Sequence, residues 1–474
     1  MHNSLAATVD PSDLARVTID IFPDVALLGI FESYVDEARQ AWCTLAHVCR
    51  KWRNVVLGSP LRLDLRLYCT ARTPVRQMLD IWPPLPIVIG ANGHEKWGVD
   101  NILAALEHND RICTIDLWHI PRSLLEKVLE AMQDPFPALT FLQLYPGNET
   151  SPVVSASFLG GSAPHLKTLK LNGIPFPALP KLILSATHLV DLDLWRIPYS
   201  GYISPEAMVA CLSVLTRLKS LFIGFESPRC PPRRNSQCPP LPTRTLLPVL
   251  TKLWFKGVGE YLGDLVARIN APLLNNLRII FFHQLVFDTP ELTHFIGRTP
   301  KFKAHGEAHV FFRDRNISVT LPQSGPETID GALQLEISCR QSDWQLSSLA
   351  QVCKSTFPRT FIPAVERVYF RSGSWPLRWQ DDMEKSQWLE LFHPFTAVKG
   401  LYISQEFAPL IVPAVQELVG ERVTEVLPSL QTLFLEETHA LGPFQETIGN
   451  FVSARQLTKH PIVVSRWERK EFED

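Results

Sequence analysis

Three places in the chain hold residue types that could do chemistry. Cys43, His47 and Cys49 stand close together, and thiolate and imidazole are zinc ligands. His305 and His309 frame Gly306-Glu307-Ala308, the residue types of a metal-binding helix. Gly160-Gly161-Ser162 puts a hydroxyl after two glycines, as a nucleophile on a tight turn would need. Each lacks the spacing that its chemistry requires. No second ligand pair follows Cys49, and an apolar stripe claims that residue for a helix face. The His305 pair lacks the His-Glu-x-x-His order, and Val310-Phe311-Phe312 after it has strand character. Ala163-Pro164 follow Ser162 where an elbow would open a helix. Neither Gly-x4-Gly-Lys nor Gly-x-Gly-x-x-Gly occurs, so no glycine-rich phosphate cradle is written here. The carboxylates are scattered as on a solvated surface. The expectation is a non-catalytic chain with no cofactor and no metal site.

The bulk properties agree with that expectation. A chain of 474 residues holds three ordinary domains or one long repeat array. With 46% hydrophobic and 20% charged residues, it can build an ample core, unlike a disordered chain. Net charge is −2 and no Lys/Arg run occurs, which argues against nucleic acid and membrane surfaces as partners. Nine cysteines, an odd number without framework spacing, point to reduced thiols. Met1 to Asp20 has no apolar signal core, and no apolar run reaches the roughly 18 residues of a membrane span. The cytosol or nucleus is the expected compartment, where the sequons at Asn148 and Asn316 stay unmodified. Proline (39) outnumbers glycine (23), so many chain reversals are stopped by Pro rather than turned by Gly.

The elements that would position a site fall into two kinds. Pro23 suits a helix start, and Leu27, Ile30, Phe31 and Tyr34 then recur on one helical face. Ala41 to Leu57 is helical again, as one helix or two, with stripes through Trp42, Leu45, Cys49, Trp52, Val56 and through Val48 and Val55. Gly58 and Pro60 end it. Fewer than forty residues with two wide apolar faces exceed what so little chain can bury internally. The excess implies a partner.

Phe22-Pro23-Asp24-(x)2-Leu27-(x)2-Ile30-Phe31, followed by Leu45-(x)2-Val48-Cys49-(x)2-Trp52-Arg53, resembles an F-box. The family pattern runs Leu-Pro-x-Glu-(x)n-Leu-x-x-Ile-(Phe/Leu), then Leu-x-x-Val-(Cys/Ser)-(x)2-Trp-Arg. Phe22 replaces the usual Leu, and Asp24 sits one position early for the acid. The resemblance implies the substrate-recognition subunit of an SCF-type ubiquitin ligase. Carried over, Pro23, Leu27, Ile30, Phe31, Leu45, Val48, Cys49 and Trp52 would dock a Skp-type adaptor, and a cullin would join through that adaptor. An ordinary helical cap on the next domain is the alternative for the same residues.

From residue 61 the period changes. Leu61, Leu63, Leu65 and Leu67 alternate with polar residues, which predicts a strand. Then Ile112-Cys-Thr-Ile115-Asp-Leu117-Trp-His-Ile120-Pro121, Leu166-Lys-Thr-Leu169-Lys-Leu171-Asn-Gly-Ile174-Pro175 and Leu189-Val-Asp-Leu192-Asp-Leu194-Trp-Arg-Ile197-Pro198 repeat one another. The anchors Ile115, Leu142, Leu169, Leu192, Leu221, Leu253 and Leu277 step by 27, 27, 23, 29, 32 and 24 residues, a leucine-rich-repeat length. The pattern returns at Val368, Leu401 and Leu433. The expected fold is therefore α/β: an N-terminal helical F-box, then an irregular leucine-rich-repeat-like solenoid with a parallel concave sheet. The usual asparagine ladder is absent, and the tail resembles those of the large fungal F-box families. Expected boundaries are 1–18 flexible tail, 19–65 F-box, 66–460 solenoid with a Pro/Arg-rich disordered loop at 226–244, and 461–474 C-terminal tail.

In such strands the leucines face the core, so the residues flanking the last one face outward. Trp118, Tyr145, Asn172 and Trp195 would then form a ledge for a protein target of unknown identity, beside Asp116, Gln143, Lys170 and Asp193. Aromatic anchors in a polar surround suit a binding hot spot; the alternative is that both indoles fold under the Ile-Pro turns as local core. Three functions follow from these residues: a ubiquitin-ligase receptor, a repeat scaffold outside any ligase, or a hydrolase or transferase hidden in 300–360.

Overall fold

The computed structural model describes residues 22–37, 41–70, 72–91, 98–147, 151–228, 244–282, 287, 289–302, 306–313, 316–322, 332–338, 344–372, 385–404, 406–418, 420–436 and 445–467. The chain divides into two compact units: Met1–Trp118 with Phe136–Leu139, and His119–Pro135 with Thr140–Asp474. That division falls within a strand, well past the boundary expected near residue 65.

The first unit opens with α1 (Asp24–Glu37), α2 (Ala41–Val48) and α3 (Arg50–Gly58). Leu27, Phe31, Trp42, Leu45, Ala46 and Val56 are buried. The Ala41–Leu57 pattern resolves into two helices because Cys49 is extended (φ −156°, ψ 171°), and its Sγ caps α3 at the Trp52 amide. Arg53 reaches back to the Ala46 carbonyl (2.9 Å) and ties α3 to α2. The strand predicted for Leu61–Leu67 is not there. Residues 60–64 coil, with the Leu65 amide bonded to the Pro60 carbonyl and Asp64 at φ 44°, which leaves Leu61 95% exposed. Pairing starts only at β1 (Leu67–Cys69). Then follow α4 (Val75–Ile81), β2 (Ile87–Ala91), α5 (Val99–Leu106) and β3 (Ile112–Ile120), with β1, β2 and β3 parallel in that order. Trp42 locks the helices to this sheet: its indole donates to the Arg66 carbonyl (3.1 Å) and meets Trp82 edge-on at 4.9 Å.

The second unit is a repeated strand–helix array. It runs α6 (Arg122–Ala131), β4 (Phe141–Pro146), β5 (Thr168–Asn172), α7 (Leu179–Ser185), β6 (Asp191–Ile197), α8 (Pro205–Leu212), β7 (Ser220–Phe225), β8 (Thr245–Leu246), β9 (Lys252–Gly257), α9 (Gly259–Ala267), β10 (Ile269–Asn270), β11 (Asn276–Phe281) and α10 (Pro290–Arg298). Then come β12 (Glu307–Arg313), β13 (Asn316–Pro322), β14 (Ala332–Ser338), α11 (Trp344–Ser355), β15 (Arg367–Ser372), α12 (Lys385–Phe392), β16 (Gly400–Ile403), α13 (Ala408–Gln416), β17 (Thr432–Glu436), α14 (Gln445–Leu457) and β18 (Val463–Trp467). The sheet order is β4-β5-β6-β7-β9-β11-β14-β13-β12-β15-β16-β17-β18, with β8 and β10 paired apart. The anchors Leu142, Leu169, Leu192, Leu221, Leu253 and Leu277 are buried and share one register row.

The repeats are held in step by main-chain forks instead of an asparagine ladder. At most of the parallel strand entries one carbonyl accepts two amides from the next repeat. Thr140 takes Lys167 and Thr168 (2.8 and 3.1 Å), Lys167 takes Val190 and Asp191 (2.7 and 3.1 Å), and Glu366 takes Lys399 and Gly400 (2.7 and 3.0 Å). The Ile-Pro signature has its own geometry. The residue before it is left-handed in all three copies: His119 at φ 52°, Gly173 at φ 63° and Arg196 at φ 52°.

Two expectations need correction. The irregular 300–360 stretch holds an antiparallel meander, β12-β13-β14, spliced into the parallel sheet. Helix α11 packs on β13 and β14, and its C-terminal end is tied to α10 where the Thr293 hydroxyl meets the Ser355 and Thr356 carbonyls at 3.0 Å each. The proposed C-terminal tail contains β18, which pairs in parallel with β17 through Val463 to Trp467. Most of the expected Pro/Arg-rich loop lies outside the described residues.

Candidate functional site

The α1 surface is split by helical period into an inward and an outward stripe. Leu27 (2% exposed) and Phe31 face in, and Phe31 meets Trp52 at 4.8 Å. Ile30 (56% exposed) faces out with Phe22, Val25 and Tyr34, and Val48 at the end of α2 is 54% exposed. Of the eight residues expected to dock an adaptor, Leu27, Phe31 and Leu45 are internal, Cys49 caps a helix, Trp52 is half-buried, and Pro23, Ile30 and Val48 are exposed. Phe22, Val25 and Tyr34 are exposed as well; Tyr34 lies one turn beyond Ile30, and Val25 lies on the opposite side of α1. Lys51 fixes the entry to α1 by donating to the Phe22 carbonyl at 2.8 Å. Arg62 grips Glu32 in a bidentate pair, which holds the Glu32 carboxyl below its usual range.

Trp118 stands on β3 of the first unit, 37% exposed. Tyr145, Asn172 and Trp195 belong to the second unit and are half-buried on the sheet face opposite the leucine core. Neither indole is fully buried under an Ile-Pro turn. The Tyr145 hydroxyl reaches across β5 to Asp193 (3.5 Å). Burial lifts the Asp193 carboxyl to about 6, against the opposing pull of Lys170 and the Tyr145 hydrogen bond. Asp193 Oδ1, Asn172 Oδ1 and the amide nitrogen of Gln143, itself 2% exposed, are buried with no hydrogen-bond partner.

The same face continues beyond the residues singled out from sequence. One register row passes through Gln143, Lys170, Asp193, Phe222, Trp254 and Arg278. Trp195 meets Phe222 at 4.7 Å, Phe222 meets Trp254 at 5.4 Å, and the Arg278 guanidinium lies 4.9 Å over Trp254. Further along that row, His309, Tyr369, Tyr402 and Phe434 stack at 4.6, 4.2 and 4.2 Å. The His309 ring is packed into this stack, and burial pushes its pKa down to about 4; His305 lies outside the described residues. Applying the outward-facing rule past Leu194 to the strands anchored at Leu221 and Leu253 would have found Phe222 and Trp254.

Among the described residues, no group of three or more His, Cys, Asp or Glu is placed to hold a metal ion. No helix among them is long and apolar enough to cross a membrane.

The fold and these surfaces define a mixed α/β protein in which strand–helix repeats build a mostly parallel sheet. No family model matches the chain, and no curated protein matches it. Among solved structures it is similar to the leucine-rich repeat-containing protein LegL7 from Legionella pneumophila, at 11% identity and a TM-score of 0.30, over 84% of this chain and 99% of that one. The repeat architecture stands on the strand register itself.

Proposed function

We propose that this chain is the substrate-recognition subunit of an SCF-type ubiquitin ligase, whose N-terminal helices dock a Skp-type adaptor and whose repeat face binds a protein target. The observation that carries the reading is the set of exposed apolar side chains on the N-terminal helices, above all Ile30 and Tyr34, one turn apart on α1, and Val48 on α2, on helices whose inward residues already form their own core. An apolar stripe left in water on a small helical unit is a docking surface. The resemblance of the Pro23 and Trp52-Arg53 motifs to an F-box supplies the partner. The chain itself would do no chemistry; it would bring a target near a transferase carried by the cullin.

Co-purification with a Skp adaptor tests this. Ile30→Asp with Val48→Asp puts two charges on the stripe without touching the internal core, and adaptor recovery should collapse. Undiminished recovery would overturn the assignment and favour a repeat scaffold outside any ligase.

A further inference from the structure

Two buried oxygens sit at diagonal positions of the repeat face, and both are acceptors. Asn172 on β5 and Asp193 on β6 are diagonal neighbours, since Lys170 pairs with Asp193 and Asn172 with Trp195, and side chains so placed can interact. Asn172 Oδ1 and Asp193 Oδ1 are buried with no hydrogen-bond partner among the described residues, and the orphaned donor beside them, Gln143 Nε2 on β4, reaches neither. The Tyr145 hydroxyl comes from β4 across β5 to the other carboxylate oxygen, Asp193 Oδ2, at 3.5 Å. An ionised carboxylate accepts and cannot donate, so an unprotonated Asp193 leaves two desolvated acceptors without a donor. A single proton on Asp193 Oδ1 turns one of the two into a donor for the other. The charges around Asp193 do not supply that donor. Lys170, its register partner, draws the carboxyl down, but the Lys170 ammonium lies over the Phe141 ring at 5.9 Å. Asp191, two residues earlier on β6, adds a second carboxylate to the face, and β7 brings only Ser220 and Phe222 opposite the two aspartates. Lys256 on β9 rests over the Trp195 ring at 5.0 Å, where Trp195, Phe222 and Trp254 form an aromatic floor.

We propose that Asp193 is a proton-operated latch on the repeat face: protonated, its Oδ1 donates to Asn172 Oδ1 and ties β6 to β5; ionised, the two oxygens repel and the face between Tyr145 and Trp195 loosens. The proton comes from solvent and returns to it, and no bond other than O–H is made or broken. The latch goes beyond the reading of this chain as a ligase subunit and holds whether or not an adaptor docks. For that reading it has one consequence: the aromatic floor that would meet a target is rigid in acid and adaptable at neutral pH.

The test is a carbon-13 carboxyl titration of the full chain labelled at aspartate, with Asp193→Asn assigning the signal. Asn172→Ala removes the acceptor of the protonated form, so the Asp193 midpoint should fall by about one pH unit. Tyr145→Phe removes a donor to the ionised form, so the midpoint should rise. Where Asn172→Ala fails to fold, Asn172→Val carries the test. Hydrogen exchange in β5 and β6, corrected for its intrinsic pH dependence, should show about tenfold more protection at pH 5 than at pH 7.5 in the wild type, and Asp193→Asn should lose that difference. A midpoint unmoved by Asn172→Ala overturns the proposal. A raised midpoint overturns it too, because the Asn172 amide then donates to the ionised carboxylate. Equal protection of the wild type at the two pH values has the same force. None of these results bears on adaptor recovery, which Ile30→Asp with Val48→Asp decides separately.

Discussion

The indole of Trp195 lies across Gly224, so close that a β-carbon on that glycine would stand 2.6 Å from the ring. No side chain can replace Gly224 without moving the indole, so the glycine sets the depth of the aromatic floor. Gly224→Ala should cost about 1–3 kcal/mol by overpacking, read as a lower unfolding midpoint. In a Trp195→Ala background the same change should cost clearly less, because the nearer of the two obstructing rings is gone and only the Phe222 ring, at 3.0 Å, still crowds the position. An equal cost in both backgrounds would break the link between the two residues.

Asp193 makes stability depend on pH in a defined direction. Its folded carboxyl titrates at about 6 against an ordinary value of 3.8. The folded chain therefore binds the proton more tightly than the unfolded chain does. Its contribution is fully present below about pH 4 and is lost as pH rises through 6. Asp193→Asn should raise stability by about 1–3 kcal/mol at pH 7.5, and the advantage should shrink to nothing by pH 4. Melting curves of both proteins across that range decide it; a pH-independent gap would contradict the assignment.

Arg455 is fully buried and donates to the Val423 carbonyl at 3.1 Å and the Leu427 carbonyl at 2.8 Å. It ties α14 to the preceding turn, where Leu427 is left-handed at φ 50°. Arg455→Met strands both carbonyls and should destabilise by about 2–4 kcal/mol. Arg455→Lys should recover little, because a single ammonium lacks the guanidinium fork. Hydrogen exchange at 420–436 is the local readout; wild-type protection in Arg455→Met would remove the role.

Much of this architecture was legible because leucine-type spacing is periodic. The Leu-x-x-Leu-x-Leu frames mark every parallel strand from β4 to β7, and Ser204-Pro205 marks α8 with the Ser204 cap in place at 3.2 Å from the Ala207 amide. The N-terminal helices were legible for the same reason, but period alone divides a stripe only coarsely. Leu27 and Ile30 look equivalent in sequence, yet Leu27 is buried and Ile30 is exposed, a division that tertiary packing makes and period does not. The β12-β13-β14 meander was hidden because strand direction leaves no trace in an alternating pattern. Leu61 to Leu67 misled because alternation without a pairing partner does not make a strand. The aromatic floor was hidden at Gly224, whose contribution is the space it leaves empty. β18 was hidden because Val463 and Val464 stay largely exposed, and main-chain pairing alone recruits them.

The most direct measurement is a calorimetric titration of a purified Skp adaptor into the purified full chain. The wild-type chain should bind one adaptor with a negative heat-capacity change, the mark of apolar surface leaving water. Ile30→Asp should weaken binding about thirtyfold, equivalent to ~2 kcal/mol, while Lys256→Glu on the repeat face should bind as wild type does. Leu27 does not serve this test, because it is internal and a charge there would unfold the helices. No binding by the wild-type chain, or wild-type affinity in Ile30→Asp, would contradict the docking of an adaptor on α1.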